Sequence, residues 1–226
     1  MLAAAWAAGL LFPDAARPAL AGSVLARFRA SDPHPRGIDG VYTYRTTGGE
    51  SLDVLGGARH RYPAETTIIV VGTACGVRLR WDALAGRSTT WTLCIRSGGV
   101  ALRALEEVHS FFGRTDLTRY ACTQGGGGSF ACRAAHSTAT GRESAAVRAG
   151  VEVGGVRVPA LRVRMTANVG GGASGTETVE WWLQPGTGLP LELAVTGRTS
   201  RPEPLVGQAH YREQATLRLV STTPQR

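Results

Sequence analysis

The feature that most constrains the fold is a pair of alternating runs around a tight turn. In residues 178–184 and 189–195, apolar and polar side chains alternate, and a Pro-Gly-Thr-Gly sequence separates the two runs. Alternation with a period of two is typical of a strand with one buried face, and proline with glycine marks a turn. This segment therefore predicts a β-hairpin.

The same pattern recurs along most of the chain. Strand-like runs occupy 40–46, 51–55, 66–71, 75–81, 91–95, 117–122, 161–166 and 209–221, and short glycine-rich turns separate them. Residues 100–112 suit either a helix or a strand, and the neighbouring strands favour a strand. We predict turns at Gly48-Gly49, at Gly154-Gly155 and at 170–172. The predicted fold is all-β, an antiparallel meander of about eleven strands that forms a curved sheet or an unclosed β-barrel.

The amino terminus has the character of an export signal. Residues 2–12 form an apolar run that is too short to span a bilayer, and Ala19-Leu20-Ala21 before Gly22 fits a cleavage site of small residues. No Lys or Arg precedes the run. We predict a signal peptide at 1–21, an irregular arm at 22–39 and a single β-domain at 40–226. The expected location is extracytoplasmic, either secreted or in the cell envelope.

Cysteine usage supports this location. The chain has four cysteines: Cys75, Cys94, Cys122 and Cys132. Pairing Leu79 with Trp91 across a turn at 82–86 places Cys94 opposite Gly76, and a β-bulge there would bring Cys94 into register with Cys75. Cys122 and Cys132 bracket the glycine-rich loop 123–129. Two structural disulfides are therefore predicted in preference to a metal site, since no C-x-x-C motif is present.

The charge of the chain is positive, and all of it comes from arginine. The chain has 25 arginines, no lysine and a formal net charge of +8. A basic surface suits anionic lipids, wall polymers or nucleic acid. The arginines are spread at alternate positions, as in Arg78 and Arg80 or Arg162 and Arg164, which is typical of the solvated face of a sheet. No nucleic-acid-binding module is recognisable.

No motif in the sequence carries catalytic chemistry. None of the five histidines lies in an H-x-H or H-E-x-x-H motif, no G-x-S-x-G elbow occurs, and the glycine runs lack the context of a phosphate loop. The carboxylates are mostly isolated along the chain. We therefore predict no catalytic residues, no metal ligands, no cofactor and a protein that is not an enzyme.

The aromatic residues are the candidate ligand-binding set. Trp182 falls on the polar face of its strand, beside Glu180 and Gln184, where a large apolar side chain is uncommon. It is either covered by the amino-terminal arm or a loop, or in contact with a ligand or partner. The other candidates line a cavity or fill the core: Trp81, Trp91, Phe111 and Phe112.

The carboxy-terminal hairpin also resembles part of a known group of proteins. Its Trp-x-x-x-Pro-x-x-Gly-Leu-Pro-Leu pattern, after a signal peptide and a strand meander, is similar to exported unclosed β-barrels of the LolA and LppX lipoprotein-carrier superfamily and related actinobacterial envelope proteins. The matching residues are Trp181, Pro185, Gly188, Leu189, Pro190 and Leu191. The resemblance implies an acyl chain held in the concave face of the sheet, although this chain lacks the helices that usually plug that face.

Together these features predict an envelope protein that binds a lipid or other apolar ligand in a curved sheet without catalysing a reaction. The alternative is an interaction module that uses an arginine-rich sheet face to contact anionic envelope components or a protein partner. An exported hydrolase is a third possibility, and a cleft that joins a histidine to a serine or a carboxylate would favour it.

Overall fold

The architecture is that of a computed structural model, which describes residues 25–27, 37–54, 57–96, 99–203 and 207–225. The predicted signal peptide and most of the predicted amino-terminal arm lie outside the described residues.

Fourteen strands make up nearly all of the described chain. The first seven are β1 (Gly40–Asp53), β2 (Ala58–Arg61), β3 (Glu65–Gly72), β4 (Gly76–Leu84), β5 (Arg87–Arg96), β6 (Gly99–Phe111) and β7 (Arg114–Gln124). A 3-10 turn at Gly126–Gly128 precedes the other seven: β8 (Ser129–Arg133), β9 (Ser137–Glu143), β10 (Val147–Val153), β11 (Val156–Gly171), β12 (Ser174–Leu183), β13 (Pro190–Glu203) and β14 (Gly207–Leu219).

The strands form one antiparallel sheet that curves into a ring. The order is β10-β11-β12-β13-β14-β1-β3-β4-β5-β6-β7-β8-β9, with β2 beside β1. Strand β11 is the longest strand. Along one edge it pairs first with β10 and then, farther along the same edge, with β9. Because β9 is also the far end of the sheet, its pairing with β11 closes the ring.

The predicted fold class is confirmed, but the strand count of eleven is too low. Three short strands were missed: Ala58–Arg61, Ser129–Arg133 and Ser137–Glu143. They carry little apolar alternation, and backbone pairing to longer neighbours holds them in the sheet. Residues 100–112 were correctly predicted as a strand rather than a helix.

The turn predicted at Gly48-Gly49 is wrong, because β1 runs straight through these glycines. A Cβ at Gly48 would lie 1.9 Å from the carbonyl oxygen of Gln214, and one at Gly49 would lie 2.3 Å from that of His60. Gly48 also has a φ of +115°, which disfavours other residues. These glycines allow neighbouring strands to approach closely, a second known role of glycine in strands.

The interior of the ring has an apolar half and a polar half. The apolar half is closely packed, and its largest fully buried side chains include Trp81, Trp181, Tyr42 and Tyr44. The Trp91 and Trp181 rings meet edge to face at 6.2 Å. The polar half lies beyond Trp81, where the β4–β5 hairpin turns. Close packing of the apolar half stabilises the ring. The polar half is therefore the part of the interior in which a functional site can lie.

Both predicted disulfides are confirmed. Cys75 bonds to Cys94 with a Cα–Cα distance of 4.8 Å, and Cys122 bonds to Cys132 across 4.0 Å. The predicted register is also found, with Gly76 opposite Cys94. The irregularity of this hairpin falls between Asp82 and Leu84 instead of at the predicted bulge. Two disulfides are compatible with an extracytoplasmic location.

Candidate functional site

The polar half of the interior is built on glutamates from neighbouring strands. Glu50 of β1 pairs with Glu213 of β14, Glu213 pairs with Gly197 of β13, and Gly197 pairs with Glu177 of β12. A Cβ at Gly197 would lie 3.7 Å from Glu177 Cγ and 3.8 Å from Glu213 Cβ. The two glutamates therefore leave the sheet on the same face, and the missing side chain of Gly197 leaves space between them.

Arg87 at the start of β5 neutralises two of these carboxylates. Its Nη2 donates to Glu213 Oε2 at 2.8 Å, and its Nε lies 3.4 Å from Glu50 Oε2. Nη1 donates to Thr89 Oγ1 and to the carbonyl oxygen of Ser88. Burial alone would lower the pKa of Arg87, but Glu213 and the other acidic groups around it together outweigh this effect, and the pKa lies above its usual value. The arginine is therefore a permanent buried cation.

Tyrosine and histidine side chains occupy the remaining acceptor positions of these carboxylates. Tyr62 donates to Glu213 Oε1 at 2.5 Å, and Tyr211 donates to Glu50 Oε2 at 2.9 Å. His60 Nδ1 lies 2.9 Å from Glu50 Oε1. Burial, followed by the charge of Glu213, raises the pKa of both tyrosines, so they stay protonated donors. We call Glu50, Arg87, Glu213, Tyr62 and Tyr211 the buried ion-pair network. Its carboxylates are saturated, which is the condition for burying such charges.

A second set of polar side chains lies between this network and solvent and is less completely paired. Glu107 and His109 of β6 have side chains 16% and 25% exposed, and their nearest approach is 3.9 Å. Glu177 is half-buried, and no hydrogen bond or ion pair joins its carboxyl to another described residue. We call Glu107, His109 and Glu177 the polar mouth of the ring.

The two carboxyls of the polar mouth have opposite protonation preferences. Burial raises the pKa of Glu177 to about 8, and the charges of Glu107 and Glu213 act in the same direction. Burial would also raise the pKa of Glu107, but His109 and Arg87 hold it below its usual value. Near neutral pH, Glu107 is therefore an anion and Glu177 is largely a neutral acid that donates a hydrogen bond. The mouth thus offers one acceptor and one donor.

Apolar surface adjoins these polar groups. Leu105 and Val179 are half-buried and pack on the edge of the apolar half. Phe111 stacks on His60 at 4.9 Å and meets Tyr211 edge to face at 6.1 Å. Inward-facing side chains of the apolar half are almost completely buried, whereas those of the mouth are partly exposed. The mouth is therefore open to water and presents both apolar and polar surface.

One exposed ion pair crosses the mouth. Arg201 of β13 lies 3.8 Å from Asp116 of β7, although these strands are far apart in the sheet order. Arg201 is also paired with Glu203 on its own strand at 2.6 Å. A single exposed pair of this kind contributes about 0–1 kcal/mol, so it restricts the mouth only weakly.

The structure distributes the five predicted ligand-binding aromatics among different environments. Trp81 and Trp91 are buried in the apolar half. Phe111 borders the mouth. Phe112 is 53% exposed, in the tight β6–β7 turn, where it has a φ of +52°. Trp182 lies on the outer face, and the Arg162 guanidinium sits 5.3 Å from the centre of its ring.

The glutamates of the polar half were not predicted from the sequence. Glu50, Glu107, Glu177 and Glu213 are isolated along the chain and meet only because the sheet closes. One available signal is that each occupies a position where alternation calls for an apolar residue, such as Glu213 in line with Ala215 and Leu217. A carboxylate on the apolar face of a strand indicates a buried polar site.

Comparison of the chain with protein families, with curated proteins and with solved structures finds no match. Among the described residues, no three or more His, Cys, Asp or Glu side chains are arranged to hold a metal ion. No helix in the described ranges has the length and apolar character needed to cross a bilayer.

Proposed function

We propose that this chain is a non-enzymatic, extracytoplasmic binding protein that holds a small amphiphilic ligand in the polar mouth of the ring. The observation that carries the proposal is the Glu177 carboxyl, which faces the interior beside the space over Gly197 and has no protein partner among the described residues. A carboxyl that makes no hydrogen bond within the protein can bond a ligand without breaking an existing contact.

The lining of the mouth indicates the chemistry of the ligand. Glu107 accepts hydrogen bonds and attracts positive charge, while Glu177 donates near neutral pH. Leu105, Val179 and Phe111 offer apolar surface on the same side. A molecule with an apolar portion and a hydroxyl- or amine-bearing end fits this combination, and a lipid is one such molecule. Because tryptophans fill the apolar half, we place the ligand at the mouth and not in the centre of the ring.

Binding is favoured over catalysis by the state of the deepest carboxylates. Glu50 and Glu213 are held by Arg87, tyrosines and a histidine, which leaves neither free to transfer a proton to a ligand. The disulfides and the suggested export signal support a location outside the cytoplasm. The proposed resemblance to lipoprotein carriers is consistent with this role, and no comparison adds to it.

Native mass spectrometry of the exported protein tests the proposal. The full chain is expressed in a bacterium that exports it, and the mature protein is purified from the envelope without denaturation. We expect a species heavier than the protein alone by the mass of a small amphiphile, and denaturation should release that mass. A bare protein mass under mild conditions contradicts the proposal.

Two substitutions at Gly197 locate the ligand. In Gly197→Leu the new side chain enters the space between Glu177 and Glu213, and we expect the bound mass to disappear. Gly197→Ala is the matched control, because its Cβ makes only ordinary contacts of 3.7 and 3.8 Å. Retention of the bound mass in a folded Gly197→Leu variant would place the ligand elsewhere.

A further inference from the structure

A second candidate site lies on the outside of the ring, opposite the buried ion-pair network. A groove of about 480 Å³ runs across the outer face of β2, β1, β14 and β13. The small residues Gly49 and Ser51 of β1 contribute to it, and four exposed arginines surround them: Arg59, Arg61, Arg198 and Arg212. We call these four residues with Gly49 and Ser51 the arginine groove.

The strand register places the four arginines close together. Ser51 pairs with Arg59 on one side and with Arg212 on the other, and Arg212 pairs with Arg198. Since neighbouring strands are about 4.8 Å apart, these three arginines span about 14 Å. Arg61 lies two residues from Arg59 on the same face, about 7 Å along the strand. The patch is thus wide enough for more than one anionic group.

The arginines of the groove have no counter-ion among the described residues. Some exposed arginines elsewhere on the sheet are paired, as Arg162 and Arg164 are with Glu180 and Arg119 is with Glu106. Within the described part of the chain, none of the four groove arginines has a carboxylate within 4.0 Å. Arg198 and Arg212 even lie directly opposite each other, an arrangement that destabilises a sheet. An external anion would relieve this repulsion.

The floor of the groove is open backbone. A Cβ at Gly49 would lie 2.3 Å from the carbonyl oxygen of His60, so no other side chain fits there without a shift of the strands. Gly49 also has no side chain to fill the groove, so its backbone forms part of the floor among the guanidinium groups. Guanidinium groups bind phosphate through paired hydrogen bonds as well as charge.

We propose that the arginine groove binds phosphate groups presented by an anionic lipid surface. The open, shallow shape and the width of about 14 Å suit several headgroups in a plane better than one enclosed small molecule. The site is separate from the polar mouth and faces the other side of the sheet. The protein would thus lie with this wall against the membrane, and the mouth would remain at the edge of the ring.

Vesicle co-sedimentation of the mature protein tests this inference. The vesicles contain phosphatidylcholine alone or phosphatidylcholine mixed with phosphatidylglycerol. We expect binding only to the anionic vesicles, and weaker binding as salt rises. Arg59→Gln/Arg212→Gln should weaken the binding by about 30-fold, as removal of two arginines near a charged surface predicts.

The matched control is Arg103→Gln/Arg142→Gln, which removes two exposed arginines outside the groove and changes the net charge equally. We expect it to weaken vesicle binding by less than about threefold. Denaturation midpoints of the two variants that are no lower than that of the unchanged protein exclude a folding defect. Equal loss of binding in the two variants, or binding that ignores salt, overturns the proposal.

A soluble probe distinguishes a membrane from a free phosphate compound. Pyrophosphate is titrated into the protein by calorimetry in the absence of vesicles. Millimolar or weaker affinity together with strong vesicle binding supports the lipid surface as the occupant. The proposal is overturned in favour of a soluble ligand if the protein binds pyrophosphate tightly, the groove variant loses this binding, and the protein does not bind vesicles. Either result is independent of whether a ligand occupies the polar mouth.

Discussion

Replacing Glu177 with glutamine should stabilise the protein, and the gain should grow with pH. The pKa of Glu177 in the folded protein is about 8, against an ordinary value of 4.5, chiefly because of burial. Between these values the folded carboxyl keeps a proton that the unfolded chain releases. Stability due to this group therefore falls as pH rises from about 4.5 and levels off above about 8.

The magnitude follows from the two pKa values. Each pKa unit corresponds to about 1.4 kcal/mol, so full ionisation of Glu177 costs the folded state about 5 kcal/mol. Contact with water at the mouth reduces this cost to about 3–5 kcal/mol. Glutamine keeps a neutral amide of similar size and does not ionise. We therefore expect Glu177→Gln to be close to neutral at pH 5 and stabilising by several kcal/mol at pH 9.

Denaturant unfolding at pH 5, 7 and 9 measures this difference directly. Glu152→Gln is a suitable control, because Glu152 is exposed in the β10–β11 hairpin and the substitution changes the charge equally. A gain for Glu177→Gln that is the same at pH 5 and pH 9, or that the control reproduces, would refute the argument from a raised pKa.

Three further predictions concern the rest of the ring. Arg87→Met should lower the free energy of unfolding by about 3–5 kcal/mol in denaturant unfolding, because it leaves two carboxylates in the interior without a cation. Adding Glu213→Leu should recover much of this loss, and no recovery would argue against the ion-pair network. Arg212→Gln should raise the free energy of unfolding by about 0.2–1 kcal/mol, because it removes the repulsion with Arg198. A decrease in the thermal midpoint would show instead that Arg212 has a structural partner. Reduction of both disulfides should lower the free energy of unfolding by about 3 kcal/mol per bridge, because each bridge closes a loop of ten to twenty residues. An unchanged unfolding midpoint in reductant would contradict this prediction.

Local pattern was sufficient to predict much of the fold. Alternation over 178–195 and the turn residues within it gave the β12–β13 hairpin, and the apolar faces of Leu79 and Trp91 gave the register of β4 and β5. These contacts join residues close in sequence, where one turn determines the pairing. The same reasoning failed at Gly48-Gly49, because a glycine pair that permits close packing of strands is indistinguishable in sequence from one that turns the chain.

The candidate site was much less predictable. Glu50 and Glu213 are separated by more than 160 residues and become neighbours only when β1 pairs with β14. Arg87 lies at the end of a hairpin, where an exposed arginine is the usual expectation. The pKa of Glu177 depends on burial and on Glu107, which lies on a distant strand. Such effects come from ring closure, and the local pattern shows only that these glutamates interrupt the apolar face of their strands.

The pairing of the first strand with the last has a consequence for the order of folding. Residues 44–53 of β1 find their partners at 210–219 of β14, so this seam of the ring cannot form until nearly the whole domain is available. The hairpins between can form earlier, because they need only short loops. Until the seam closes, β1 and β14 expose unpaired edges that can pair with other chains. This seam is therefore the last part of the sheet to form, and the folding chain is exposed to edge-to-edge association until β1 and β14 have paired.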